Sequence, residues 1–195
     1  MTVHATDPTN LLQRPKRADA QRNYDKLLAA AHAAFTEADT QTSLEDIARR
    51  AGVGIGTLYR HFPTRRELIE AVYVQEVGAM ARSARDVAEL EPWDALVTWL
   101  RRFVDYVATK QALANELFAE DGGGSDVFAP CRNALYEAGA PLVARAQAAG
   151  IVRPDVDVAD VLHLVSGITK LTTLERADVE RILDVALDGL RHVPS

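Results

Sequence analysis

The chain holds a single cysteine, Cys131, in 195 residues, so no internal disulfide can form and a reducing compartment suits it. A small buried hydrophobe is its ordinary role. Histidine is scarce and scattered: His4, His32, His61, His163 and His192 never stand four residues apart or near a second cysteine, and no structural metal is expected. No uncharged apolar run approaches the roughly 18 residues of a membrane span. Residues 1–10 also lack the basic start and apolar stretch of a signal peptide, which makes a cytoplasmic protein the expectation. Alternating runs of β-branched and aromatic residues bounded by turn residues are missing, and with them any strand signal. Missing too are GxSxG, HExxH, a paired Cys/His nucleophile and a phosphate-binding glycine loop placed after a strand, so neither a catalytic constellation nor a cofactor is expected.

What remains is ordinary globular composition, 48% apolar and 26% charged, arranged with helical periodicity. The net charge of -6 argues against a nucleic-acid partner only until its distribution is considered. Residues 1–66 carry +3 and residues 67–195 carry -9, as if a polyanion-binding module were joined to a body that repels polyanions.

Tyr24, Leu27, Leu28, Ala31, Ala34 and Phe35 form one apolar stripe, which predicts a helix over 18–37. Thr42 with Glu45 reads as a capping box opening a second helix that ends at Gly52. A glycine turn follows, then a short helix from Ile55 to about Phe62, and a second capping box at Thr64 and Glu67 opens a helix to about 88. Pro92 starts the next helix, a shorter one is expected over 110–119, and Asp121 to Ser125 is the clearest flexible loop. Pro141 should kink or interrupt the stretch 126–149, which Gly150 caps, before final helices at 157–173 and 178–191. The sum is an all-α chain of about nine helices without a sheet: a flexible basic arm over 1–16, a three-helix domain over 17–66, and a helical bundle over 67–195.

Two short helices joined by a glycine turn make the helix-turn-helix unit, whose second helix enters the major groove. On a helical wheel Leu58 and Phe62 share the inward face, with Ile55 beside them, while Gly56, Thr57 and Arg60 project outward and Tyr59 and His61 flank them. Gly56 allows close backbone approach, Thr57 offers a hydroxyl and a methyl, and Arg60 can donate two bonds to guanine. Tyr59 and His61 could reach phosphates. Lys16 and Arg17, with Arg14 and Arg22, form an arm that could follow the phosphate backbone. The alternative reading of Gly52 to Thr57 as a nucleotide loop fails, because a capped helix rather than a strand precedes it and the spacing to an acidic residue is wrong.

Thr42 to Leu68, TSLEDIARRAGVGIGTLYRHFPTRREL, resembles the DNA-binding signature of TetR-family regulators, and the resemblance extends through RADAQRNYDKLLAAAHAAF to cover residues 17–72. It implies that Thr42 caps helix two near a phosphate, that Gly56, Thr57 and Tyr59 lie on the recognition helix, and that His61 and Arg65 approach the DNA backbone. Arg65 stands where Lys is usual, and Gly54 where Ser or Thr is frequent. Further implications are a homodimer on a palindromic operator, with half-sites about 34 Å apart, and a small-molecule effector held in the body. The aromatic-rich middle of the chain offers Trp99, Phe103, Tyr106, Phe118, Cys131, Tyr136 and His163 as effector contacts. Val161, Val165, Ile168, Ile182, Val185 and Ala186 on the last two helices offer a dimer interface. Three classes stay open: an effector-released repressor, a DNA-binding dimer without effector, and an all-helical enzyme.

Overall fold

The structure is a computed structural model that describes residues 7–36, 42–121, 126–169 and 175–192, with the side chains of 108–112 and 114–121 left aside. Its eight α-helices are α1 (Ala18–Thr36), α2 (Leu44–Ala51), α3 (Ile55–His61), α4 (Arg65–Asp86), α5 (Pro92–Asp121), α6 (Phe128–Ala148), α7 (Val158–Thr169) and α8 (Arg176–Leu190). A 3-10 turn over Pro8–Leu11 precedes them. The chain divides into two compact units: Pro8–Glu76 with Thr109–Cys131, and Met1–Asp7 with Val77–Ala108 and Arg132–Ser195.

In the first unit the apolar stripe of α1 is buried as its period predicts, with Leu27 and Ala31 fully enclosed. Helix α2 corrects the expected cap. Ser43, not Thr42, takes the N-cap position, its hydroxyl accepting the Asp46 N–H at 3.1 Å. Thr42/Glu45 and Ser43/Asp46 both have the capping spacing, and Ile47, Ala48 and Ala51 form the buried face as the helical period predicts. Gly52 ends the helix at φ 66°, a left-handed conformation that glycine adopts without cost, and the Val53 N–H closes on the Ala48 carbonyl at 3.0 Å. The second box forms as expected: the Thr64 N–H reaches Glu67 at 3.1 Å and the Glu67 N–H reaches the Thr64 hydroxyl at 3.2 Å.

In the second unit the Trp99 ring is fully buried and its indole N–H donates to the Met80 carbonyl at 3.3 Å. Helix α5 is continuous over 30 residues, where a break before 110 was expected; Ala108 to Leu113 contains neither Gly nor Pro, and nothing there stops propagation. The total is therefore eight α-helices, not nine, among the described residues. Helix α6 runs through Pro141 without interruption. The proline ring is exposed while Ala134, Leu135 and Ala138 before it and Leu142, Val143 and Ala146 after it are buried, so packing on both sides outweighs the roughly 3 kcal/mol that the lost ladder bond and the ring clash cost together. Asp157 and Asp160 cap α7 reciprocally at 2.9 and 3.1 Å. An isolated antiparallel β-bridge joins Val152 and Arg191, but no strand is present among the described residues. Residues 122–125 of the expected loop lie outside the described residues.

Candidate nucleic-acid interface

Helix α3 is held by one face. Leu58 is fully buried, and Phe62 at its C-cap packs on Tyr24 with ring centroids 4.9 Å apart. With that face fixed, Ile55, Gly56, Tyr59 and Arg60 are exposed and Thr57 is half-exposed. Arg60 makes no ion pair among the described residues, so its guanidinium is available to an outside acceptor. Open space surrounds the Cβ positions of Gly54 and Gly56, and nothing among the described residues requires either residue to be so small.

His61 sits at the end of this face, edge-on to Tyr24 at 5.9 Å. Burial, reinforced by the Arg60 charge, holds its imidazole below the ordinary value. At neutral pH it is an uncharged hydrogen-bonding group rather than a cation.

Two of the residues expected near DNA point elsewhere. Thr42 is buried, 5% exposed, and does not cap α2. Arg65 turns inward: its guanidinium donates to the Thr42 carbonyl at 2.5 Å and lies over the Phe35 ring at 5.0 Å. Lys16 and Arg17 are exposed, Arg14 lies 4.0 Å from Asp25, and Arg22 pairs with Asp19. Ser43, the cap of α2, adds a hydroxyl at this end of the motif, and a serine followed three residues later by an acid is its signature in the sequence.

The residues expected to contact an effector divide. Trp99, Phe103 and Tyr106 form a buried aromatic ladder, with centroids 6.1 and 5.6 Å apart, and Cys131 is buried in the other unit. His163 is exposed, and its Nε2 meets the Tyr136 hydroxyl at 3.2 Å. The side chain of Phe118 lies outside the described residues.

The expected dimer residues divide as well. Val161, Val165 and Ile168 are buried within their own unit because they form the inward stripe of α7. Ile182 and Ala186 are half-buried, and Val185 is 68% exposed. Leu164, 41% exposed on α7, is a large apolar outward residue that the periodicity did not single out.

Residues 27–72 match the family described as bacterial regulatory proteins, tetR family, and residues 91–192 match the C-terminal domain of SbtR-like transcriptional regulators. The chain belongs to the TetR family. The TetR regulator SCO0520 of Streptomyces coelicolor is 43% identical and superposes with a TM-score of 0.75, over 88% of this chain and 99% of that one. The HTH-type regulator UidR of Escherichia coli is 28% identical over 182 residues, 90% of this chain and 92% of its own. The HTH-type regulator SAR0097 of Staphylococcus aureus is 32% identical over 99 residues, and the match spans only 52% of that protein. As a TetR-family member the chain is a DNA-binding transcriptional regulator, and α2 and α3 make up its helix-turn-helix.

Proposed function

We propose that this TetR-family regulator is a repressor that binds a palindromic operator as a homodimer, with α3 of each subunit in the major groove, and is released by a small-molecule effector. One observation carries the DNA-reading part: a helix anchored by Leu58 and Phe62 presents Thr57, Tyr59 and an unpaired Arg60 on its open face. Gly56 lets the duplex approach the helix backbone, Ile55 offers an apolar contact to a thymine methyl, and Tyr59 and His61 reach phosphates at the groove edges. Lys16 and Arg17 add arm contacts. The hydroxyl nearest the start of α2 is that of Ser43, which takes the phosphate role first given to Thr42.

A single α3 reads too few base pairs to discriminate well, since each good bidentate contact contributes about 1–3 kcal/mol. Two-fold association doubles the site. The outward residues Leu164 and Val185, with Ile182 and Ala186 beside them, give α7 and α8 an apolar face for it. In this reading residues 1–16 are the arm, 17–66 the DNA-binding domain, and 67–195 the body for effector and partner. The chain acts in the cytoplasm without catalysing a reaction. An effector that prefers a dimer with misplaced recognition helices lowers operator affinity by its differential binding to the two states.

Selection of bound sequences from random DNA tests the reading. Thr57→Ala and Arg60→Ala are each expected to relax the preference at particular base pairs; a preference unchanged in both would remove α3 as the reading helix. Thermal melting of the chain against a metabolite panel, paired with loss of operator binding, tests release by an effector.

A further inference from the structure

Helix α3 leaves the helix-turn-helix through Phe62, Pro63 and Thr64, and Arg65 is the first residue of α4. That arginine is half-buried and bonded back to the far end of the motif, at the residue before the cap of α2. The carbonyl it meets is one that the α2 ladder does not use: the first intrahelical bond runs from the Ile47 N–H to the Ser43 carbonyl at 3.1 Å. Thr42 is buried, so a bond to its carbonyl is shielded from bulk water. The guanidinium supplies a charge-assisted bond there. Its Cζ lies 5.0 Å over the Phe35 ring near the end of α1, so one side chain rooted at the start of α4 meets both Thr42 and Phe35.

From this geometry we infer that Arg65 is a positioning residue for DNA reading, which ties the entry of α2 to the exit of α3 and so sets the angle of α3, rather than a phosphate ligand. The inference rests on α3 being the reading helix. Lysine at this position keeps the charge but has neither a planar face to stack on Phe35 nor a forked donor edge. A phosphate contact, by contrast, needs only the charge, and its loss is written in the salt dependence of binding.

The test compares Arg65→Lys, Arg65→Gln and Phe35→Leu in the full chain, on the operator recovered by selection and on an unrelated duplex, over a range of salt. Positioning predicts that Arg65→Lys loses about tenfold in operator affinity, that binding to the unrelated duplex is unchanged, and that the slope of log affinity against log salt stays that of the parent. Phe35→Leu, which alters no charge, reproduces that loss, and the double variant Phe35→Leu/Arg65→Lys is no weaker than the weaker single variant. Full affinity in Arg65→Lys would overturn the inference. So would a slope reduced by about 0.9 per lost contact in Arg65→Gln, with specific and non-specific binding falling together. If Phe35→Leu does not fold, the lysine variant alone decides. A parent protein that prefers no DNA sequence would remove the reading of α3 itself, an outcome distinct from all of these.

Discussion

The Trp99 ring lies against Gly139: a Cβ built on that glycine would stand 2.7 Å from two atoms of the indole and 2.9 Å from the Val158 side chain. Glycine in the middle of α6 costs about 1 kcal/mol relative to alanine in an isolated helix. Here the close approach of a fully buried ring reverses that preference. Gly139→Ala is expected to lower the stability of the chain by about 1–3 kcal/mol, measured as a lower urea midpoint at unchanged m-value.

The cap of α2 gives a sharper test, because two adjacent residues competed for it. Ser43→Ala removes the bond to the Asp46 N–H and should cost about 1 kcal/mol. Glu45→Ala, at the exposed position of the rejected box, should leave stability within about 0.5 kcal/mol. Paired denaturation curves separate the two.

His32 and Glu76 join α1 to α4 at 3.5 Å. The Glu76 carboxylate beside it raises the His32 imidazole above its ordinary value of about 6.5, against the opposing effect of burial. The stabilisation is therefore fully present below about pH 6.5 and is lost as pH rises through the raised value. His61 in the same unit behaves oppositely, since burial depresses it: its share is present above about pH 6.5 and is lost as pH falls through the lowered value. Glu76→Gln leaves burial as the effect acting on His32, so the first dependence should reverse its sign while the second stays. Unfolding at a series of pH values between about 5 and 8.5, with the imidazole signals followed by NMR, checks both.

Val185 is the most exposed large apolar side chain among the described residues, and its replacement removes little from its own subunit. Val185→Asp is expected to convert a dimer to a monomer in sedimentation velocity while leaving the helical content of the chain unchanged, and to make its melting independent of protein concentration. A dimer that survives this change would place the partner on another face.

Helix positions and inward stripes were legible because burial imposes a 3.6-residue period on sequence, and Tyr24 to Phe35 is buried as that period requires. The open face of α3 was legible for the same reason: Leu58 and Phe62 fix which side is covered. Three features were not. The cap of α2 depends on choosing between two boxes of identical spacing, and local chemistry does not separate them. On α7 the apolar pattern marks the stripe that packs inside the unit, so Val161, Val165 and Ile168 stand out while the lone outward Leu164 does not. The inward turn of Arg65 depends on Phe35 and Thr42, which lie 30 and 23 residues away in the chain; a charged residue read in its own neighbourhood looks like a surface cation.

The seven residues of α3 carry a glycine cap without a side-chain bond and a second glycine, Gly56, inside the first turn. A helix this short is marginal in water on its own, and Gly56 weakens it by about 1 kcal/mol relative to alanine. Its order is borrowed through Leu58 and Phe62 from the residues beneath. The amides of α3 should accordingly exchange with solvent through a shallow local opening, well below the free energy of global unfolding. Operator binding then closes that opening, so warming should loosen the grip on DNA before the chain itself melts.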